Sequence, residues 1–174
     1  SDLISLFLDE LFTFKLMQTD PNFANYLFNA ETGKVALLDF GATRDIPHTV
    51  SVGYRALISA AMDGDKMAMS ESAKQIGFFS DDISEAYLAQ ILDIFTLACE
   101  PLMVKGEYDF GSSDLASRVK NAGLSIQKQQ DQWHTPPVDA IFVHRKLAGL
   151  YLLAAKLKAK VDVMALFKEF KLTT

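Results

Sequence analysis

The sequence predicts a mainly α-helical domain that carries one small β-hairpin. Three observations lead there. Apolar residues recur at helical spacing over most of the chain. Strand-like runs occur at Tyr26–Phe28 and at Lys34–Leu38, on either side of a turn at Asn29–Gly33. The 174 residues are 49% apolar and 22% charged, enough for one domain (1–174) with a substantial core and no internal repeat or linker.

Taken in order, Ser1 or Asp2 can cap a first helix that runs to about Lys15. Its wide apolar face includes Leu3, Ile4, Phe7, Leu8, Leu11, Phe12 and Phe14. From Leu16 to Asn25 the period is lost, and Pro21 with two asparagines marks a loop. The hairpin follows, with Val35 to Leu38 expected as a buried strand. Pro47 suits the first turn of a helix reaching about Met62. Asp63-Gly64-Asp65 interrupts it. The next helix covers about Lys66 to Gln75, and Gly77 stops it. Ser84 is expected to cap a helix to about Ala98. Pro101 to Gly111 reads as loop, Ser113 to Gln130 as a polar surface helix, and Trp133 to Pro137 as a connector. Val138 to about Lys160 is apolar on nearly all sides in its middle, as suits a central buried helix. A last helix covers about Val163 to Phe170.

Charge excludes some classes. The net charge is −5, which argues against a nucleic-acid binder. It is unevenly spread: residues 1–100 hold 15 acids and 6 bases, net −9, and residues 101–174 hold 7 acids and 11 bases, net +4. The single cysteine, Cys99, cannot build a disulfide framework, so a reducing, intracellular compartment is expected and Cys99 reads as a core residue. The longest apolar run, Leu147 to Ala155, falls short of the ~20 residues that span a bilayer. Ser1 leads straight into an apolar helix without a Met, which suggests a piece of a longer protein.

Functional chemistry concentrates in Met17 to Arg44. Mg²⁺ prefers oxygen ligands, commonly one or two carboxylates completed by phosphate and water. Kinase-type phosphoryl transfer meets that need with an Asp, an Asn five residues on, and the Asp of a later D-F-G triplet. Here Asp20, Asn25 and Asp39-Phe40-Gly41 stand five and fourteen residues apart, and the hairpin fills the second gap. Such a hairpin returns Asn25 and Asp39 to the same end of the strands. Phe40 is expected to pack inward while Gly41 lets the chain reverse.

These residues carry a family resemblance. The runs MQTDPNFAN and LLDFGATR, with the later VHRKLAGLYLLAAKLKA, resemble the UbiB family of atypical, protein-kinase-like proteins, also called AarF-domain-containing kinases. The resemblance extends from Asp9 to about Phe167. It implies the C-terminal lobe of a kinase-like fold, with the hairpin carrying the catalytic and D-F-G loops. It also implies Mg²⁺ and ATP as cofactors, and a role in ubiquinone (prenylated quinone) biosynthesis. Implied partners are a lipid or quinone-precursor substrate, a membrane surface and other quinone-biosynthesis proteins. The implied location is the cytoplasmic side of a bacterial membrane or the matrix side of the mitochondrial inner membrane.

By the same resemblance, Asp20 matches the catalytic-loop Asp that orients or deprotonates an acceptor or water. Asn25 matches the Mg²⁺-ligating Asn, and Asp39 the Asp that bridges Mg²⁺ and phosphates. Gln18-Thr19 stands where ordinary protein kinases have His-Arg. Asn22 stands where Ser/Thr kinases commonly have Lys, which removes a γ-phosphate contact. The short stretch from Gly41 to Pro47 leaves little room for an activation loop. No G-x-G loop or V-A-I-K-like strand is present, so this chain alone is expected to bind ATP weakly and to turn over little. Two other readings stay open. One is a small-molecule phosphotransferase of the choline or aminoglycoside kinase type, against which Gly41 argues because it stands where those enzymes carry an acid. The other is an ATP-gated, pseudokinase-like binding module.

The remaining polar residues have simpler readings. His48, His134 and His144 lack metal-ligand spacing. His144, Arg145 and Lys146 break an apolar helix and could reach acids near the active-site loop. Arg44 could pair with a carboxylate and fix the D-F-G loop. Lys156, Lys158, Lys160, Lys168 and Lys171 make the C-terminal end basic, a solvated face or a weak attraction to anionic lipid of roughly 1 kcal/mol per residue.

Overall fold

A computed structural model describes residues 1–79, 83–127 and 136–172. Trp133 and His134 lie outside the described residues. The elements, in order, are α1 (Asp2–Leu8), a π-helical turn (Asp9–Phe14), β1 (Leu16–Gln18), a 3-10 turn (Phe23–Asn25), β2 (Tyr26–Asn29), β3 (Lys34–Leu37) and β4 (Thr43–Asp45). They continue as α2 (His48–Asp63), α3 (Lys66–Ile76), α4 (Glu85–Ala98), α5 (Glu100–Met103), β5 (Tyr108–Asp109), α6 (Leu115–Gln127), α7 (Val138–Lys156), β6 (Lys160–Val161) and α8 (Val163–Leu172). The domain is mainly helical, as the apolar spacing requires.

The helix ends follow local chemistry. Asp65 accepts from the Ala68 amide at 3.0 Å to open α3, and Ser84 accepts from the Tyr87 amide at 3.3 Å to open α4. Gly64 (φ 71°) and Gly77 (φ 100°) close α2 and α3 in the left-handed region that glycine tolerates. The first helix behaves differently. Its last turns are π-helical, and three successive residues there, Glu10, Leu11 and Phe12, are all buried. A regular α-helix rarely buries three in a row. Lys15 (φ 53°) ends it and turns the chain into β1.

Several elements depart from the sequence expectation. Leu16–Gln18 is a strand, not a loop, and pairs antiparallel with Thr43–Asp45. Residues 101–111 hold the end of α5 and β5, and β5 pairs with β6. That pairing ends α7 at Lys156 rather than at Lys160, with Lys158 at φ 49°. These strands have two or three residues each. Their partners define them, not a local pattern. Strand β3 is half-exposed rather than buried, and Phe40 points outward at 63% exposure instead of packing inward. Leu27, Phe28 and Leu38 are exposed beside it. Leu152 is likewise exposed on the central helix α7.

The core joins α1, α2, α7 and α8. Phe12 meets Phe167 edge-on at 6.0 Å between centroids, and the Arg55 guanidinium lies over Phe12. Cys99 is buried and its thiol is pushed up to about 12, so it is inert at neutral pH, as the core reading expects. His48 is exposed. His144 is not near the loop of Asp20. It stacks on Phe78 at 5.3 Å, touches Phe95, and its Nε2 lies 2.9 Å from the Tyr54 hydroxyl.

Burial lowers the His144 pKa from the usual 6.5 to about 4. Its folded pKa lies below its unfolded one, so between these values the unfolded chain binds more protons. His144 therefore costs no stability above pH 6.5, and its penalty grows as pH falls toward 4, to about 3 kcal/mol at most. Urea unfolding of the wild type and His144→Phe at pH 7 and pH 4.5 measures this. The wild type is expected to lose more stability over that interval than the variant.

Candidate functional site

Two short ladders place the residues of interest. In the first, Met17 faces Arg44 and Gln18 faces Thr43. It continues one step further, because the Thr19 amide and hydroxyl both donate to the Ala42 carbonyl, at 3.0 and 2.7 Å. In the second, Tyr26 faces Leu37, and the Leu38 amide donates to the Asn25 carbonyl at 3.0 Å. Residues 20–25 leave one ladder and enter the other. Residues 38–42 make the return trip beside them. Asp20, Asn25 and Asp39 all sit in these two crossing segments.

Asp20 and Asn25 touch directly. The Asn25 amide nitrogen donates to Asp20 Oδ2 at 3.0 Å and reaches the Asp20 carbonyl at 3.5 Å. The other Asp20 oxygen lies 3.7 Å from the Arg145 guanidinium. Asp39 turns on its own loop: Oδ1 accepts from the Gly41 amide at 2.7 Å. Thr43 steadies the same turn by donating its hydroxyl to the Phe40 carbonyl at 2.6 Å. Asp39 is exposed.

Helix α7 holds this loop from beneath. Arg145 reaches Asp20 and Lys146 reaches Gln18. One turn on, Gly149 lies against Pro21, so closely that any side chain at 149 would collide with the proline ring. Arg44 anchors the return segment. It pairs with Asp139 at 3.2 Å and lies over the Phe142 ring, both on α7. Of the three polar residues 144–146, Arg145 and Lys146 face the loop and His144 does not.

Glu10 is a member of this neighbourhood that carried no motif. It is 4% exposed, pairs with Lys146 at 3.1 Å and accepts from the Gln18 amide at 3.1 Å. Burial pushes Glu10 up and Lys146 down, and each partner opposes the shift of the other. The sequence does hold a signal for it. Glu10 falls three residues after Phe7 and four before Phe14, inside an apolar stripe. Burial also raises the hydroxyl of Tyr26, helped by the charges of Glu10 and Asp20.

Among the described residues, no three His, Cys, Asp or Glu side chains converge on one point. A hard divalent ion would therefore need the Asn25 amide oxygen and non-protein oxygens to complete its shell. The arrangement fits that requirement. Asp20 engages the Asn25 nitrogen, which leaves the Asn25 oxygen as the atom that can meet a cation. Lys156 lies over the Phe23 ring and Lys160 pairs with Asp109, so part of the basic C-terminal end is engaged within the domain. No described helix is long and apolar enough to cross a membrane.

Comparison with known proteins adds a family. The model of the ABC1 atypical kinase-like domain matches residues 1–73, a span that contains Asp20, Asn25 and Asp39. The chain is 35% identical over 167 residues to "Atypical kinase COQ8B, mitochondrial" of Rattus norvegicus, covering 96% of this chain and 31% of that protein. It is 34% identical over 171 residues to "Atypical kinase COQ8, mitochondrial" of Saccharomyces cerevisiae, covering 97% and 34%. It is 30% identical over 178 residues to "Probable serine/threonine-protein kinase abkA" of Dictyostelium discoideum, covering 98% and 31%. The chain thus spans about a third of the length of these relatives.

Proposed function

Since the chain belongs to the UbiB family of atypical, protein-kinase-like proteins, we propose that it is the metal- and acceptor-facing lobe of an atypical kinase or ATPase. Its cofactors on this reading are Mg²⁺ and ATP. One observation carries the reading: Asp20 and Asn25 are hydrogen-bonded at 3.0 Å between two ladders that also bring Asp39 to the same end. Asn25 and Asp39 would hold Mg²⁺, which when bound would neutralise charge that develops on the phosphate. Asp20, fixed by Asn25 on one oxygen and flanked by Arg145 on the other, orients or deprotonates the acceptor hydroxyl or a water.

The segment after the D-F-G triplet narrows the acceptor. Thr43–Asp45 is already a strand, and α2 begins at His48. A peptide held on an activation loop has no seat there. ATP hydrolysis or transfer to a small or lipid-like acceptor is the favoured outcome. The exposed apolar residues Leu27, Phe28, Leu38 and Phe40 suit a cover by the nucleotide-binding lobe of a longer protein. The full-length protein would serve ubiquinone biosynthesis with lipid or quinone-precursor substrates, other quinone-biosynthesis proteins and a membrane surface as partners. The relatives' names favour the mitochondrial alternative, which on this reading is the matrix side of the inner membrane.

The test uses the full-length protein with Mg²⁺-ATP. Phosphate release is measured alongside transfer to a generic peptide, choline, an aminoglycoside and a polyprenyl-phenol. Mg²⁺-dependent phosphate release, or transfer to the phenol, is expected without peptide phosphorylation. Stoichiometric transfer to choline or the aminoglycoside would replace this reading with a small-molecule phosphotransferase. ATP binding with no turnover would replace it with a gated binding module.

A further inference from the structure

We propose that Lys146 is the positioning residue of the loop that carries Asp20: a buried ammonium that holds Gln18 so that the chain enters residues 19–25 in one register. The inference rests on the phosphotransfer reading of Asp20 given above.

Lys146 is 1% exposed, among the most completely buried large side chains of the domain. Its ammonium has three protons, and it meets acceptors on two residues far away in sequence. The Gln18 carbonyl accepts at 2.7 Å, Gln18 Oε1 at 3.2 Å, and Glu10 Oε2 lies at 3.1 Å. Burying such a pair gains little stability over apolar residues of the same shape, because desolvation offsets the attraction. A purely structural role therefore leaves the choice of a lysine unexplained. The geometry supplies a reason. Two of its contacts, the shortest among them, go to Gln18, which stands two residues before Asp20.

The contacts are complementary. On its strand edge, Gln18 faces Thr43, and Thr19 closes on Ala42. On the opposite side, Lys146 takes the Gln18 carbonyl and Glu10 takes the Gln18 amide. Both backbone groups of Gln18 are thus held by buried charged side chains from two different helical segments. Asn25, at the far end of the loop, is anchored independently through the Leu38 amide. Loss of Lys146 would free the Asp20 end of the loop while the Asn25 end stays on its ladder. The acceptor-facing residue would move relative to the metal-facing ones.

That asymmetry sets the test, in the full-length protein. Lys146→Met alone leaves Glu10 unpaired, so its effects mix folding with function. The double variant Glu10→Gln/Lys146→Met removes both charges, keeps an acceptor for the Gln18 amide and leaves the Gln18 carbonyl without its donor. Melting temperature is expected to recover most of the loss seen in Lys146→Met. The kcat for Mg²⁺-ATP is expected to stay roughly 10- to 100-fold down, as a displacement near 1 Å would cause. KM for ATP stays within about threefold. If kcat recovers together with the melting temperature, or KM rises while kcat holds, Lys146 is structural only and the proposal is wrong. Hydrogen exchange at the amides of residues 19–25 gives a readout that does not depend on turnover. It should accelerate at least tenfold in the double variant, and unchanged exchange overturns the proposal whether or not the protein hydrolyses ATP. If the double variant is insoluble, Lys146→Arg keeps the charge beside Glu10 but cannot place one nitrogen on all of these acceptors. The same kcat and exchange criteria then decide.

Discussion

Asp39→Asn in the full-length protein is expected to lower Mg²⁺-dependent ATP turnover by roughly a thousandfold or more. The substitution keeps the shape of the side chain. Its amide oxygen can still accept from the Gly41 amide, which the Asp39 carboxylate does at 2.7 Å. The turn should therefore survive, and the melting temperature should stay within a degree or two. What disappears is the negative charge at the end of β3 that would face the metal. A metal supplies several kcal/mol of charge stabilisation in such reactions, and about 4 kcal/mol corresponds to a thousandfold in rate. Phosphate release at saturating Mg²⁺-ATP, read beside thermal unfolding, separates lost chemistry from lost folding. Turnover within threefold of the wild type would remove Asp39 from the site.

Lys146→Met alone is expected to be the most destabilising single change near the site. It strands the Glu10 carboxylate, 4% exposed, without its cation. Breaking a buried pair from one side costs about 3–5 kcal/mol. For a domain of this size that lowers the melting temperature on the order of 10 °C. The deficit has a pH signature. Burial already holds the Glu10 pKa above the usual carboxylate range, with Lys146 pulling against it. In the variant that pull is gone, so the folded chain takes up a proton on Glu10 more readily than the unfolded chain does. The deficit is full above the raised Glu10 pKa and shrinks as pH falls through it. Urea unfolding at pH 7.5 and pH 5 should show the gap between variant and wild type closing at the lower pH. A gap that widens would mean that Glu10 is not the stranded group.

Much of the site is legible in the sequence because its parts are local. The spacing from Asp20 to Asn25 fits a loop, and the fourteen residues from Asn25 to Asp39 fit a hairpin with its turn at Asn29–Gly33. Caps at Asp65 and Ser84 and stops at Gly64 and Gly77 are likewise local, and the helices begin and end there. The rest depends on partners distant in sequence. Met17 is strand because Arg44 lies opposite, and Tyr108 because Val161 does. No pattern within three residues reveals that. The triplet His144-Arg145-Lys146 shows the same limit. Successive helical positions point about 100° apart, so one residue enters an aromatic pocket while its two neighbours reach the Asp20 loop. The sequence pattern leads one to expect Phe40 inside. Here nothing among the described residues covers that side of the hairpin, and it faces out.

The most direct test of the central claim is calorimetric titration of ATP into the full-length protein, with and without Mg²⁺, for the wild type, Asn25→Ala and Asp39→Asn. If these residues form the metal-facing half of a nucleotide site, Mg²⁺ will tighten ATP binding by the wild type at least tenfold and leave both variants nearly unchanged. An equal Mg²⁺ effect in all three proteins would contradict the claim.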